Sequence, residues 1–237
     1  MNHHQNIVRI KAVHNSLADL KDKVVFVGGA TISLYADRQT LDVRPTNDVD
    51  VIIEILNYIE GTKLEEKLRA FGFENDKESE IICRYKIQGI IVDIMPTTSE
   101  SLGFSNRWYP EGFKNAIDYE IDDRNTVKIL ASPYFIAVKL EAFNDRGRGD
   151  GRTSQDFEDI VFILENRQTI WEELNSVEGE IRTYLIDEFK KLKENNFEVV
   201  KWTGIWRYFL MQKQYIHFIS SLTKSFTPAV MIISKNR

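Results

Sequence analysis

Apolar residues fall into two regimes along this chain. In the first part they come as short runs, Val24–Val27, Asp48–Ile55, Ile81–Ile87 and Ile90–Met95, with the length and β-branched content of buried strands. The last two meet at Gln88-Gly89, a two-residue hairpin signal. Ile117–Ile121 and Thr126–Leu130 predict a second hairpin around Asp122-Asp123-Arg124-Asn125. Between the runs the spacing turns helical. Residues 5 to 20 place Ile10, Val13, Leu17 and Leu20 on one side, Ala30–Ala36 follows the first strand, and Lys63–Phe71 is stopped by Gly72. A loop through Asp37, Arg38, Gln39 and Pro45 leads into Asp48, and a looser stretch holds Phe104, Trp108, Tyr109 and Phe113. From Ser132 helical patterns dominate to about Phe226, broken by a polar Gly-Arg loop at 147–153. Ser132-Pro133 predicts a helix start, with Ser as cap and Pro in the first turn. The apolar run Val230–Ile233 in the tail 227–237 suits either an added strand or a docking segment. The pattern predicts an α/β (α+β) fold: a mixed-sheet core over 1–130 and a helical region over 131–237 that shares its site.

Composition narrows the function classes. At 237 residues, 43% hydrophobic and 28% charged, the chain is an ordinary globular protein able to bury a core. No apolar run approaches the roughly 18 residues of a membrane span. The opening Met-Asn-His-His-Gln-Asn lacks the layout of a secretion signal, so the expected compartment is the cytoplasm. A net charge of −5 argues against a protein that coats DNA, while leaving room for a local basic groove. The single cysteine, Cys83, excludes an intrachain disulfide and a cysteine zinc site; in the run Ile81-Ile82-Cys83 it reads as a small buried residue.

The candidate chemistry lies in two blocks. Gly28 and Gly29 follow the first strand, where the lack of a Cβ lets the backbone turn and approach a phosphate. Asp48 and Asp50 sit at i and i+2 of the next strand, so both carboxylates point to one face. Either motif alone is common. In this order, between apolar strands, they form a phosphate turn beside a pair of hard oxygen ligands suited to Mg²⁺ or Mn²⁺. Asp93, inside the apolar strand Gly89–Met95, needs a partner or a metal unless it faces water at the strand's end. The second block holds Lys139, Arg146, Asp156 and Asp159. Lys139 and Arg146 can face one region and suit a triphosphate. Asp156 and Asp159, at i and i+3, can orient those cations or touch a nucleotide. The same charges also suit a structural salt-bridge cluster between two helices, and spacing does not choose.

Strand, Gly-Gly, helix, then Asp-x-Asp on a second strand is similar to the polymerase-β-like nucleotidyltransferase fold. The blocks Val27-Gly28-Gly29-Ala30, Arg44-Pro45-Thr46-Asn47-Asp48-Val49-Asp50, Lys139-Leu140-Glu141-Ala142 with Arg146, and Asp156-Phe157-Glu158-Asp159-Ile160 resemble the AbiEii/AbiGii-type nucleotidyltransferase family. The likeness covers about residues 24 to 165. The stretch between Gly29 and Asp48 is longer than the shortest family spacings. The resemblance implies transfer of a nucleoside monophosphate from an NTP to an acceptor, with pyrophosphate released. It implies that Asp48, Asp50 and Asp93 are the metal ligands and catalytic carboxylates. It further implies that Gly28, Gly29, Lys139 and Arg146 bind the nucleotide, with Thr31 or Ser33 adding a hydroxyl. The family includes toxins of type IV toxin–antitoxin and abortive-infection systems, so an antitoxin encoded nearby is an implied partner. Some members act on tRNA ends, and Arg146, Arg148 and Arg152 among glycines favour an RNA acceptor. The rivals are transfer to a small antibiotic-type molecule and a catalytically silent nucleotide-binding module.

Overall fold

Strand β1 (Val24–Val27) is buried along its whole length, and the sheet is built outward from it. The computed structural model of the chain describes residues 2–37, 43–55, 58–98, 106–146 and 153–194. The other strands are β2 (Asp48–Ile53), β3 (Glu74–Asn75), β4 (Arg84–Ile87), β5 (Ile90–Pro96), β6 (Ile117–Asp122) and β7 (Asn125–Ile129). They form one seven-stranded sheet in the order β3-β4-β5-β2-β1-β7-β6. β1 runs antiparallel to β2 and parallel to β7, and β2 runs parallel to β5, so the sheet is mixed. Its central strands carry continuous apolar runs because both faces are covered by protein.

The helices are α1 (Asn2–Ser16), α2 (Tyr58–Ala70), α3 (Tyr109–Lys114), α4 (Ser132–Asp145), α5 (Gln155–Asn166), α6 (Ile170–Ser176) and α7 (Glu180–Glu194). The chain divides into two compact units, Met1–Ile170 and Trp171–Arg237. The sheet, α4 and α5 all belong to the first. In the second, α7 buries Ile181, Leu185, Ile186 and Phe189, and Phe189 meets Trp171 with ring centroids 6.0 Å apart. The expected tail strand or docking segment at 227–237 lies outside the described residues, as do Arg38, Gln39 and Phe104.

Both predicted hairpins form. Gln88 and Gly89 have φ of 49° and 77°, the left-handed pair that a tight two-residue turn requires. The second turns at Asp123-Arg124 and joins β6 to β7 in antiparallel register. Three local readings need correction. Ile81–Cys83 is not strand: β4 begins only at Arg84, and Ile82 is 71% exposed. Ala131, not Ser132, is the N-cap of α4, with Ser132 already inside the helix and its hydroxyl buried without a partner. The segment after Gly28 is a tight 3₁₀ helix, Gly29–Tyr35, every residue of which is buried. Its ends are tied by Thr31 Oγ1 donating to the Gly28 carbonyl at 2.9 Å and Tyr35 OH donating to the Leu130 carbonyl at 2.8 Å.

Candidate active site

Four neighbouring strands set one row of residues side by side. Val27 of β1 pairs with Asp50 of β2, Asp50 with Asp93 of β5, and Asp93 with Arg84 of β4. Residues level across a sheet project from the same face, and Asp48, two positions before Asp50, joins them. Oxygens of Asp48, Asp50 and Asp93 all lie within 4.8 Å of one another. They line a cleft of about 1010 Å³, together with Gly28, Gly29, Arg84, Lys139 and Arg146.

The three carboxylates are not equivalent. Asp93 accepts a fork from Arg84, Nε to Oδ1 at 2.8 Å and Nη2 to Oδ2 at 2.7 Å. The same Nη2 stands 3.4 Å from Asp48 Oδ2, whose side chain is 37% exposed. Asp50 has no such partner among the described residues. Burial, then the like charges of Asp48 and Asp93, push its pKa up to about 7. The segment ahead of Asp48 is anchored to α1: Arg9 donates to the Thr46 carbonyl, and Thr46 Oγ1 donates to Asn6 Oδ1 at 3.0 Å.

The facing wall comes from α4 and α5. Lys139, 6% exposed, places Nζ 3.0 Å from Asp156 and 2.7 Å from Asp159. Arg146 forks onto Asp156 at 2.8 and 2.9 Å while 64% of its side chain stays exposed at the cleft. Arg44 forks onto Asp159 with two contacts of 2.9 Å. Burial works against the charge of Lys139, but Asp159 and Asp156 outweigh it and hold its pKa above the usual value. Burial likewise opposes the charge of Asp156, yet Arg146 and Lys139 keep its pKa below the usual carboxylate range. The two helices are held in register by Phe143 against Phe157, ring centroids 5.1 Å apart, and by the Ser154 cap, which accepts from the Phe157 N–H at 3.3 Å.

The glycine turn is shaped by the site itself. Gly28 has φ +72°, and a Cβ there would lie 1.9 Å from Asp50 Oδ2; one on Gly29 would lie 2.2 Å from Arg44 Nη2. The turn therefore needs glycine before any ligand arrives. The hydroxyls expected beside it are elsewhere. Thr31 is fully buried with its hydroxyl committed to Gly28, Ser33 is buried, and neither lines the cleft. A 3₁₀ helix folded into the core leaves them no path to a phosphate. Asp159 does not line the cleft either; it holds Arg44 and Lys139. The Gly-Arg loop from 147 to 152 lies outside the described residues.

Sequence reasoning missed Arg84, Arg44 and Tyr109, which also line the cleft. Arg84 could have been found: from a two-residue turn at Gln88-Gly89, Ile87 pairs with Ile90 and, three rungs on, Arg84 with Asp93. Arg44 stood in a quoted block without a role, and nothing in the sequence aims it at Asp159. Tyr109 carried only its aromatic character. Cys83, expected in the core, is half-buried on the cleft's edge.

Three converging carboxylates are hard oxygen donors of the number and kind that Mg²⁺ or Mn²⁺ takes. Burial first, and then the neighbouring charges of Asp48 and Asp93, raise the proton affinity of Asp50. The donor set fits a divalent cation.

The comparisons with known proteins agree with this geometry. Residues 12–201 match the model of the nucleotidyl transferase AbiEii toxin family, type IV TA system. The chain belongs to the AbiEii nucleotidyltransferase family. It is thus a transferase by family, and its four motif blocks all fall within the matched AbiEii region. A solution structure of the antibiotic-resistance factor ANT(2'')-Ia is 14% identical, with a TM-score of 0.51, over 82% of this chain and 98% of that one. That likeness establishes the nucleotidyltransferase fold. Weaker ones extend to ANT(2'')-Ia in complex with adenylyl-2''-tobramycin (12% identical, 79% and 98% covered, TM-score 0.49) and to an antigenic nucleotidyltransferase-like protein from Paracoccidioides brasiliensis (17%, 82% and 91%, 0.47). No curated protein matches the chain. No helix among the described residues is long and apolar enough to cross a membrane.

Proposed function

We propose that this AbiEii-family chain transfers a nucleoside monophosphate from an NTP to an RNA acceptor, and that it is the toxin component of a type IV toxin–antitoxin pair. The observation that carries the reading is the convergence of Asp48, Asp50 and Asp93 on a cleft whose opposite wall holds Lys139 and Arg146. One wall suits a divalent cation and the other suits the phosphates it accompanies.

In the reaction an acceptor hydroxyl oxygen attacks the α-phosphorus, the bond from that phosphorus to its bridging oxygen breaks, and pyrophosphate leaves with the bonding pair. Asp93 accepts the hydroxyl's hydrogen bond and takes its proton; the Arg84 fork fixes the direction of its oxygens and leaves each a second lone pair. Asp48, Asp50 and Asp93 would hold a divalent cation, which when bound would supply positive charge against the charge that develops in the transfer. Gly28 and Gly29 admit the phosphates close to the backbone, and the exposed guanidinium of Arg146 meets the triphosphate from the facing wall. Lys139, held by Asp156 and Asp159, helps keep Asp156 ionised and Arg146 aimed.

RNA is favoured as acceptor by the three arginines of the segment 146–152, which suit a phosphate backbone. Incubation with α-labelled NTPs and total RNA, and separately with aminoglycosides, tests the assignment. Label moving into RNA supports it. Label on aminoglycosides alone would assign a small-molecule acceptor, and NTP binding without pyrophosphate release on any acceptor would return the chain to a silent nucleotide-binding module.

A further inference from the structure

Arg84 occupies the position where a cation's charge is wanted, yet it belongs to none of the motif blocks. The tight turn at Gln88-Gly89 sets β4 beside β5 so that Arg84 is level with Asp93. Its contacts are unequal. The fork onto Asp93 is short, at 2.8 and 2.7 Å, and Asp93 is the carboxylate most withdrawn from solvent of the two it touches, 10% exposed against 37% for Asp48. The contact to Asp48, at 3.4 Å, is long and half-solvated. A guanidinium keeps its charge under all conditions, so it cannot step aside by losing a proton. A cation entering among the three carboxylates therefore displaces only the Asp48 contact and stays beside the positive charge of Arg84.

We propose that Arg84 is the resident counter-ion of the three carboxylates: it positions Asp93 and weakens binding of a divalent cation to the free enzyme, so that tight cation binding requires the triphosphate. The negative charge of a bound triphosphate offsets Arg84, and its oxygens complete the ion's shell. The order of loading follows from the charge count. Three carboxylates alone would hold a cation without nucleotide, whereas three carboxylates and a guanidinium hold it well only when more negative charge arrives. This inference rests on reading Asp48, Asp50 and Asp93 as the cation site.

The test is Mn²⁺ binding to the full chain, followed by electron paramagnetic resonance without nucleotide, for the wild type, Arg84→Gln, Arg84→Lys and the double variant Arg84→Gln/Asp50→Asn. Arg84→Gln is expected to bind Mn²⁺ at least about tenfold more tightly than the wild type, a change of about 1.4 kcal/mol. Arg84→Lys, which keeps the charge and loses the fork, should stay near the wild-type affinity. The double variant should lose the gain, which places the ion on the triad. An Arg84→Gln affinity equal to or weaker than that of the wild type overturns the inference while leaving the triad intact. A double variant that binds as tightly as Arg84→Gln overturns the cation site as well. The wild type provides a measurement independent of how the variants fold. Its bound-Mn²⁺ signal should strengthen at least about tenfold with a non-hydrolysable NTP, and an affinity unchanged by nucleotide contradicts the proposal.

Discussion

The two walls of the cleft use similar charged groups in opposite ways. On the helical wall Lys139, Arg44 and Arg146 share Asp156 and Asp159 through contacts of 2.7–3.0 Å, and Lys139 and both carboxylates are nearly excluded from solvent. On the strand wall one arginine contacts two of three carboxylates, and burial, then the like charges beside it, raise the pKa of Asp50 to about 7. Satisfied charge is architecture. Charge left in deficit suits a ligand, and the three carboxylates are a donor set that fits a cation. The comparison also separates Lys139 from Arg146: Lys139 is nearly buried in contact with Asp156 and Asp159, while Arg146, from the C-cap of the same helix, keeps most of its side chain exposed.

The largest effect should come from the satisfied wall. Among the described residues Lys139 is the cation in contact with both Asp156 and Asp159, and Lys139→Met leaves each of these nearly buried carboxylates with a single guanidinium, that of Arg146 and that of Arg44. A loss of about 1.5–3 kcal/mol is expected in denaturant unfolding, the scale of losing hydrogen bonds to charged groups. If stability is unchanged and only NTP affinity falls, Lys139 belongs with the ligand rather than the frame.

Gly28→Ala probes where the strand wall meets its turn. The backbone of Gly28, φ 72° and ψ −172°, lies in a region that is essentially glycine-only and costs an L-residue roughly 1–3 kcal/mol, and the new Cβ would overlap Asp50 Oδ2. Transfer should fall further than the melting temperature suggests, because the displaced group is Asp50. A variant with wild-type turnover would mean that Asp50 tolerates movement.

The subtlest effect is one of pH. Asp50 in the folded chain holds its proton to about pH 7, against 3.8 as its ordinary value. A carboxyl with a raised folded pKa stabilises the fold below its unfolded pKa and loses that contribution as pH rises through the folded one. The melting temperature of the metal-free wild type, minus that of Asp50→Asn, should therefore fall between about pH 4 and pH 7. The subtraction removes Asp156, whose lowered pKa acts in the opposite direction. Mg²⁺ should flatten the slope, and a difference that rises with pH would show Asp50 to be stabilised as the anion.

The two walls also differ in how far sequence alone reveals them. The strand wall was largely legible: strand period puts Asp48 and Asp50 on one face, and the family resemblance added Asp93, which the parallel pairing of β2 with β5 brings beside them. Arg84 escaped because register had to be counted from the turn at Gln88-Gly89, and the run Ile81–Cys83 made the strand look longer than it is. The helical wall was legible as a set of residues and not as a set of pairings. Spacing brings Lys139, Arg146, Asp156 and Asp159 near one another, but which cation faces which carboxylate depends on how α4 crosses α5. The burial of Thr31 and Ser33 was hidden for a related reason: whether a helix after a glycine turn faces a cleft or the core is a tertiary matter, and here the whole segment Gly29–Tyr35 is buried.

The most direct test of the central claim, that the strand carboxylates are the catalytic centre, is transfer of label from an α-labelled NTP by the wild type, Asp48→Asn and Asp50→Asn, with melting curves on the same samples. Each substitution keeps size and removes one carboxylate charge. The account predicts transfer with pyrophosphate release by the wild type and a loss of roughly a hundred- to thousandfold in both variants, the scale of removing one electrostatic group from an active site. Both variants should remain folded, with Asp50→Asn no less stable than the wild type at pH 7. Near-normal transfer by either well-folded variant would contradict it.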